Sequence, residues 1–346
     1  MTASALSAHD RLVPLYPVSI APMMEKTDRH YRYFARQLTS RTLLYSEMIT
    51  TGAILHGDRD HLLAFDPCEH PLALQLGGDD PDELVRAIEI AEEYGYDEYN
   101  LNVGCPSDRV QNANFGACLM ANPEHVRTLI AAMRSATPKP VTIKHRIGID
   151  GRESYDELVD FVRIVADACP ARFTVHARIA ILAGLSPKEN RSVPPLRYHD
   201  VYRLKEEMPG LQIEINGHVM DPQEIAGHLT RVDAVMVGRA AYDDPWILSS
   251  VDHRFFGEPY RSVTRRAVID AMVEYVDRWC LAGWPARSVV RHMLGLFHAR
   301  PGARRFKQKL SGRFDERDGA TVLREAIAAV PDRVLDEPAP GASAYA

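Results

Sequence analysis

Seven polar residues stand where short apolar runs stop: Gln75, Asn102, Cys105, Lys144, His176, Asn216 and Arg239. The most telling context is Leu101-Asn102-Val103-Gly104-Cys105-Pro106-Ser107-Asp108-Arg109. Glu98 to Val103 alternates as a strand does, Gly104 ends the run, and Pro106 cannot extend a sheet. Most cysteines are small buried hydrophobes, but one held between Gly and Pro at the C-terminal lip of a strand is poorly suited to a core. In a barrel of parallel strands that lip is where chemistry sits. Gly217 and Gly238-Arg239 fall where many barrels hold a phosphate on backbone N–H groups, and Arg239 adds a charged fork. Two chemistries suit the set. Lys144 could form a Schiff base, as in aldolases, or lie beside an electron-accepting ring and stabilise its anionic reduced state. Spacing alone leaves both open.

The elements that must position these residues alternate regularly. Strand-like runs are Val18–Met23, Leu43–Met48, Leu72–Gly77, Glu98–Val103, Val141–Arg146, Phe173–Arg178, Ile213–Gly217 and Ala234–Arg239. Helical spacing lies between them, as over Arg29–Leu38 and after Asp80-Pro81, where Leu84, Ile88 and Ala91 share a face. Eight such units before about residue 250 predict an α/β fold, a (β/α)8 TIM barrel over 18–250. A doubly wound sheet is the alternative, but no Gly-rich dinucleotide fingerprint follows the first strand. Residues 1–17 read as an N-terminal extension. Past Pro245-Trp246 the strand pattern stops, and Val263–Trp279, Pro285–Phe297, Ala303–Leu310 and Thr321–Ala329 predict a C-terminal all-helical domain over 260–335. The Pro/Ala/Gly/Ser-rich tail 336–346 reads as disordered.

Composition narrows the setting. The chain has 346 residues, 46% of them hydrophobic, enough for one large and one smaller domain. Its five cysteines show no CxxC spacing, which argues against a disulfide framework or a zinc site and for a reducing cytoplasm. No signal peptide or membrane-length apolar run is present, so a cytoplasmic protein is expected. The net charge is −6, yet from Arg278 to Phe314 there is no Asp or Glu among nine Arg and Lys residues. A basic segment on an acidic body is the footprint of a nucleic-acid contact, since a merely solvated face carries interspersed carboxylates.

The motifs are specific enough to carry a resemblance. Ala21-Pro22-Met23-Met24-Glu25-Lys26-Thr27-Asp28-Arg29, Leu101 to Arg109, Phe115-Gly116-Ala117-Cys118, Ile143 to Asp150, Val175-His176-Ala177-Arg178, Gly184 to Arg191, Val235 to Arg239 and Arg291 to Phe297 occur in that order. Together they resemble the tRNA-dihydrouridine synthases, and within them the A-type enzymes, over about 18–313. The resemblance implies FMN-dependent reduction of the C5–C6 double bond of uridine in the tRNA D-loop, at positions 20 and 20a, with NADPH as reductant. It implies that Pro22, Met23 and Met24 pack under the flavin, that Gln75 and Lys144 bond the ring edge, and that His176 approaches the ribityl-phosphate side. Asn216, Gly217, His218, Gly238 and Arg239 would take the phosphate, and Cys105 would be the proton donor. An ordinary thiol, mostly protonated near neutrality, suits that task. The target base would leave the tRNA stack, with Asn102 reading its edge, while Lys188, Arg191, Arg304 and Lys307 hold the tRNA backbone. The resemblance implies neither a membrane nor an obligatory protein partner. The pattern is broken at His218, where a second glycine is usual, and at Ile179, where lysine is usual.

Other functions make different demands. An FMN-dependent pyrimidine oxidoreductase of the dihydroorotate dehydrogenase type shares barrel and cofactor but needs no acid-free basic surface. An aldolase would be colourless, and a non-catalytic RNA-binding protein has no use for Cys105, Lys144 and His176 at one mouth.

Overall fold

The computed structural model describes residues 16–107 and 114–341. Its centre is an eight-stranded parallel sheet: β1 (Val18–Ile20), β2 (Leu44–Thr50), β3 (Leu72–Gly77), β4 (Glu98–Val103), β5 (Val141–Arg146), β6 (Phe173–His176), β7 (Ile213–Asn216) and β8 (Ala234–Val237). From β2 on each strand pairs with the next, and β1 pairs with β8. Leu43, just before β2, closes the ring: Ile20 N–H donates to its carbonyl at 2.9 Å, and its own N–H donates to Val18 at 3.3 Å. The (β/α)8 barrel expected from the alternating runs is present.

Asx-Pro pairs start three of the barrel helices. Asp80, Asn122 and Asp221 each cap a backbone N–H while Pro81, Pro123 and Pro222 fill the first turn, where a missing N–H costs nothing. The strands between divide their residues strictly. In β4, Tyr99, Leu101 and Val103 pack outward against the helices, and Glu98, Asn100 and Asn102 face inward. The inward positions of β5 (Thr142, Lys144, Arg146), β6 (Thr174, His176) and β7 (Glu214, Asn216) are polar too. The apolar plug inside the barrel is correspondingly small: Ala21, Leu43, Tyr45, Ala73 and Met236.

Arg172 neutralises this interior. It donates to Glu98 at 2.6 and 2.9 Å and lies 3.4 Å from Glu214, whose other oxygen accepts from Ser19 at 2.6 Å. All three side chains are at least 98% buried, and removing Arg172 alone would strand two carboxylates at a cost of about 3–5 kcal/mol.

Three expectations need adjusting. The first and last apolar runs outlast their strands: β1 stops at Ile20 before Pro22, and Arg239 opens a short helix, Arg239–Asp243. The stretch 285–297 is not one helix. Helix Arg287–Val290 passes into a 3-10 turn, Arg291–Met293, so that Gly295 can approach the Asp243 carbonyl, where a Cβ would come within 2.6 Å. The tail is not disordered through 341. Asp336 pairs with Arg266, Thr264 bridges Pro338, and buried Ala339 donates its N–H to Val263 at 2.7 Å. Residues 342–346, like 1–15, lie outside the described residues.

Helices Arg265–Leu281, Ala303–Ser311 and Gly319–Ile327 form the C-terminal layer, which is all-helical as expected. The first of them packs on barrel helix Arg29–Leu38, where Tyr33 stacks on Tyr275 at 3.9 Å. Beside that contact, Asp28 takes Arg291 at 2.6 Å and His292 at 3.0 Å. Among the described residues no helix is long and apolar enough to cross a membrane.

Candidate active site

The polar strand ends converge at the C-terminal mouth of the barrel. Asn102, the last inward residue of β4, accepts the N–H of Gly104 at 3.1 Å and of Cys105 at 3.0 Å on one amide oxygen. This double cap turns the chain out of the sheet and leaves Cys105 half-buried on a loop, its carbonyl accepting from Ala117 at 2.9 Å. The thiol lies 3.5 Å from the Ser107 hydroxyl. Asp108 and Arg109 lie outside the described residues.

Behind the loop stands a group of cations. Lys144 sits level with Asn102 across the β4–β5 ladder. Burial, reinforced by the Arg146 charge, pulls its ammonium down to about 8. Arg146 is 3% exposed; it donates to the carbonyls of Gly104 (3.0 Å), Ile179 (2.9 Å) and Asn190 (3.0 Å), so it clamps the cysteine loop to the 184–191 loop. Burial lowers its pKa to about 10. His176 is pushed well down by burial first and then by Arg146, Lys144, Arg178 and Arg191, which makes it a neutral imidazole. Among the described residues no carboxylate forms an ion pair with Lys144, Arg146, Arg178, Arg191 or Arg239. Such a concentration of positive charge in a partly dehydrated mouth calls for an anionic occupant.

The floor after β7 fits a phosphate-bearing one. Gly217 has φ 133°, and a Cβ there would come 3.1 Å from the His176 ring. A Cβ on Gly238 would meet nothing within 4 Å, so the backbone after β8 borders open space. His218 has φ 52°: it takes up the left-handed backbone that a second glycine would adopt freely. Histidine is among the non-glycine residues that tolerate this region best, and its N–H is retained. Ile179, at the other departure, is buried and uses its carbonyl on Arg146.

A family model described as "Dihydrouridine synthase (Dus)" matches residues 19–331. The chain belongs to the dihydrouridine synthase family. It is accordingly an enzyme, an oxidoreductase that forms dihydrouridine. Three relatives carry the name tRNA-dihydrouridine(20/20a) synthase. The one from Synechocystis is 56% identical over 295 residues, covering 85% of this chain and 88% of the relative. The one from Pseudomonas syringae is 55% identical over 293 residues, covering 85% and 87%. The one from Salmonella typhi is 49% identical over 323 residues, covering 93% and 97%. Among solved structures, a 2-naphthoyl-CoA reductase in complex with 2-naphthoyl-CoA superposes with a TM-score of 0.51 at 12% identity, over 72% of this chain and 51% of the other; that likeness concerns the fold alone.

In this dihydrouridine synthase the mouth brings together Gln75, Asn102, Cys105, Lys144 and His176. Met23 packs beside the apolar plug, its N–H donating to Thr27, while Met24 is 56% exposed at the rim after Pro22. Asn216 turns its amide onto the Met236 carbonyl at 2.8 Å, which leaves the backbone of Gly217 and His218 as the donors there. Asn102, expected to read a base, places its oxygen on the cysteine loop and one amide hydrogen on Gln75 at 2.8 Å. Lys188 and Arg191 lie exposed on the loop that buried Asn190 pins to the Ile181 backbone.

The basic segment sorts itself in the same way. Arg287 pairs with Glu316, Arg291 with Asp28, Arg300 with Glu337 and Lys309 with Glu325. Arg304, Arg305, Lys307 and Arg313 are exposed, and among the described residues none has a carboxylate partner. Sequence reasoning missed Arg146, Arg178 and the Glu98–Arg172 pair. The signal was available: every second residue of β4 to β7 is polar, the reverse of what an apolar barrel interior requires.

Proposed function

We propose that this enzyme reduces the C5–C6 double bond of uridine to 5,6-dihydrouridine in the D-loop of tRNA, at positions 20 and 20a, with FMN as cofactor and NADPH as reductant. The observation that carries the reading is a capped cysteine at the mouth of a barrel where Lys144 and Arg146 form no ion pair among the described residues. The names of the relatives support both the substrate and the positions.

Gly217, His218, Gly238 and Arg239 would hold the cofactor phosphate, with Asn216 bracing the β7 end. Pro22, Met23 and Met24 would lie under the ring, Gln75 and Lys144 at its edge, and His176 near its ribityl side. Bound there, FMN would supply hydride to C6 of the uridine. The saturating carbon C5 then needs a proton. Cys105 stands on the loop that can deliver it, and the Sγ–H is the bond that breaks. Arg146 and Asn102 hold the backbone of that loop from two sides, which fixes the donor before the base arrives. Lys144 supplies positive charge beside the reacting ring. Lys188, Arg191, Arg304 and Lys307 would bind tRNA phosphates, which position the nucleic acid without reading its sequence.

The test is direct. The purified protein should be yellow and release FMN. The Cys105→Ala variant should keep its flavin, be reduced by NADPH, and lose about 10²–10⁴ in its rate on tRNA. A protein that cannot be reconstituted with FMN, or a Cys105→Ala variant that turns tRNA over normally, refutes the corresponding part.

A further inference from the structure

A single file of side-chain hydrogen bonds runs through the barrel interior, and every donor in it faces the same way. The Gly104 and Cys105 N–H groups donate to Asn102 Oδ1. Asn102 Nδ2 donates to Gln75 Oε1 at 2.8 Å, Gln75 Nε2 to Asn100 Oδ1 at 2.8 Å, and Asn100 Nδ2 to Thr142 Oγ1 at 2.8 Å. The Thr142 hydroxyl donates to Glu98 Oε1 at 2.6 Å. Glu98 also takes Tyr45 at 2.9 Å and Arg172 at 2.6 and 2.9 Å.

The direction follows from chemistry. A carboxylate bound by a guanidinium only accepts, so Thr142 must give its one hydrogen to Glu98. Its oxygen is then an acceptor, which obliges Asn100 to present its NH2 there and its carbonyl to Gln75. Gln75 is obliged in turn to present its carbonyl to Asn102. Asn102 is left with its oxygen toward the loop, where two backbone N–H groups require an acceptor. Each amide has two orientations of similar shape, and the fixed charge at the base of the file selects the same one as the two backbone donors at its top. Asn100 and Thr142 are fully buried and border no part of the mouth, so neither can touch a substrate.

We propose that Thr142 is a positioning residue for the Cys105 loop: it passes the polarity of the Glu98–Arg172 pair through Asn100, Gln75 and Asn102, and so sets the cap under the proton donor. This rests on the role given to Cys105 above. Without the hydroxyl, Asn100 loses its acceptor and can turn over, the file keeps only its upper anchor, and Asn102 is held by the two loop N–H groups alone, which loosens the cap.

Thr142→Val has the same shape and lacks the hydroxyl, Thr142→Ala removes the hydroxyl without adding a methyl, and Thr142→Ser retains it. On the FMN-loaded protein two quantities are read. One is oxidation of the prereduced enzyme by tRNA in a single turnover. The other is alkylation of Cys105 by iodoacetamide, followed by peptide mass, with exposed Cys169 as the internal reference. The Val and Ala variants should lose about tenfold or more in the single-turnover rate, with tRNA affinity within about twofold of the parent, and Cys105 alkylation should change relative to Cys169. The Ser variant should match the parent in both. A Val variant equal to the parent in both readouts overturns the proposal, as does a Ser variant as impaired as Val. Cys105→Ala, measured alongside, separates the two readings. If it turns over tRNA normally, the proton-donor role fails, while the alkylation comparison still decides whether Thr142 sets the loop.

Discussion

Arg146 reaches from the end of β5 to the Gly104 carbonyl at 3.0 Å, so the residue before the cysteine hangs from a buried guanidinium. The same group holds Ile179 and Asn190, and no acid neutralises it among the described residues. It therefore has two tasks: to join the cysteine loop to the 184–191 loop, and to keep positive charge next to the thiol.

Arg146→Met tests the joint. It strands three carbonyls but no carboxylate, so the expected loss of stability is about 1–3 kcal/mol. The single-turnover rate on tRNA should fall by about tenfold or more, because both loops lose their common anchor. Arg146→Lys should recover only part of this, since an ammonium cannot spread over three carbonyls as a planar fork does. Urea melts and stopped-flow oxidation of the reduced flavin measure the two effects; an unchanged rate in the Met variant would falsify the joint.

His218 offers a gain rather than a loss. Its left-handed backbone costs an L-residue about 1 kcal/mol that glycine does not incur, and its side chain is exposed, so little packing is given up. His218→Gly should be more stable by about 0.5–1 kcal/mol in a urea titration, with FMN retained because the N–H remains. His218→Val should be less stable than the parent. A destabilised Gly variant would mean that the imidazole makes a contact worth more than the backbone strain.

Lys144 predicts a pH dependence with a definite sign. Burial lowers its folded pKa to about 8, whereas an unfolded lysine stays near 10.5. Below pH 8 both states are protonated, and the folded protein bears the full cost of a buried charge. Between about 8 and 10.5 the unfolded state holds the extra proton, so this residue's contribution to stability rises with pH, by up to about 1.4 kcal/mol per unit. Comparing urea midpoints of the flavin-free parent and Lys144→Met isolates the effect. The Met variant should be the more stable near pH 7, and its advantage should shrink above pH 8. A constant difference across that range would place the ammonium in water.

The barrel is legible in the sequence because strand and helix differ in period, and β4 displays its period of two so plainly that it sets Cys105 at a lip. The Gly-Cys-Pro context and the polar strand ends carried the site for the same reason. What stayed hidden depended on contacts between distant parts of the chain. Arg172 precedes β6 and looks like a loop residue, yet it pairs with Glu98, 74 positions earlier. The acid-free run 278–314 looked uniformly available, yet Arg291 is spent on Asp28, 263 positions away, and Arg287, Arg300 and Lys309 on other acids. The cap that Asn102 places on the cysteine loop shows only when the turn after β4 is built. The tail failed on composition, since Pro and Ala are as good at packing against Val263 as at remaining free.

That sorting sharpens the test of the basic surface. Phe306 and Leu310 bury one face of helix Ala303–Ser311, and Arg304 and Lys307 share the exposed side three residues apart. Both cations are exposed and lack carboxylate partners among the described residues, so reversing them breaks no ion pair within the fold. The double variant Arg304→Glu/Lys307→Glu should therefore fold with normal flavin content and be reduced by NADPH at the parental rate. If both cations bind phosphates, tRNA affinity should drop markedly, and the slope of log affinity against log salt should become shallower by about 1.4–1.8. A control at Arg287, whose charge is spent on Glu316, should alter that slope less and stability more. Filter binding at four salt concentrations, with a urea melt of each variant, reads all of these quantities. Unchanged affinity and slope in the double variant would move tRNA docking away from this helix, and a joint loss of flavin, stability and affinity would assign the two residues to folding.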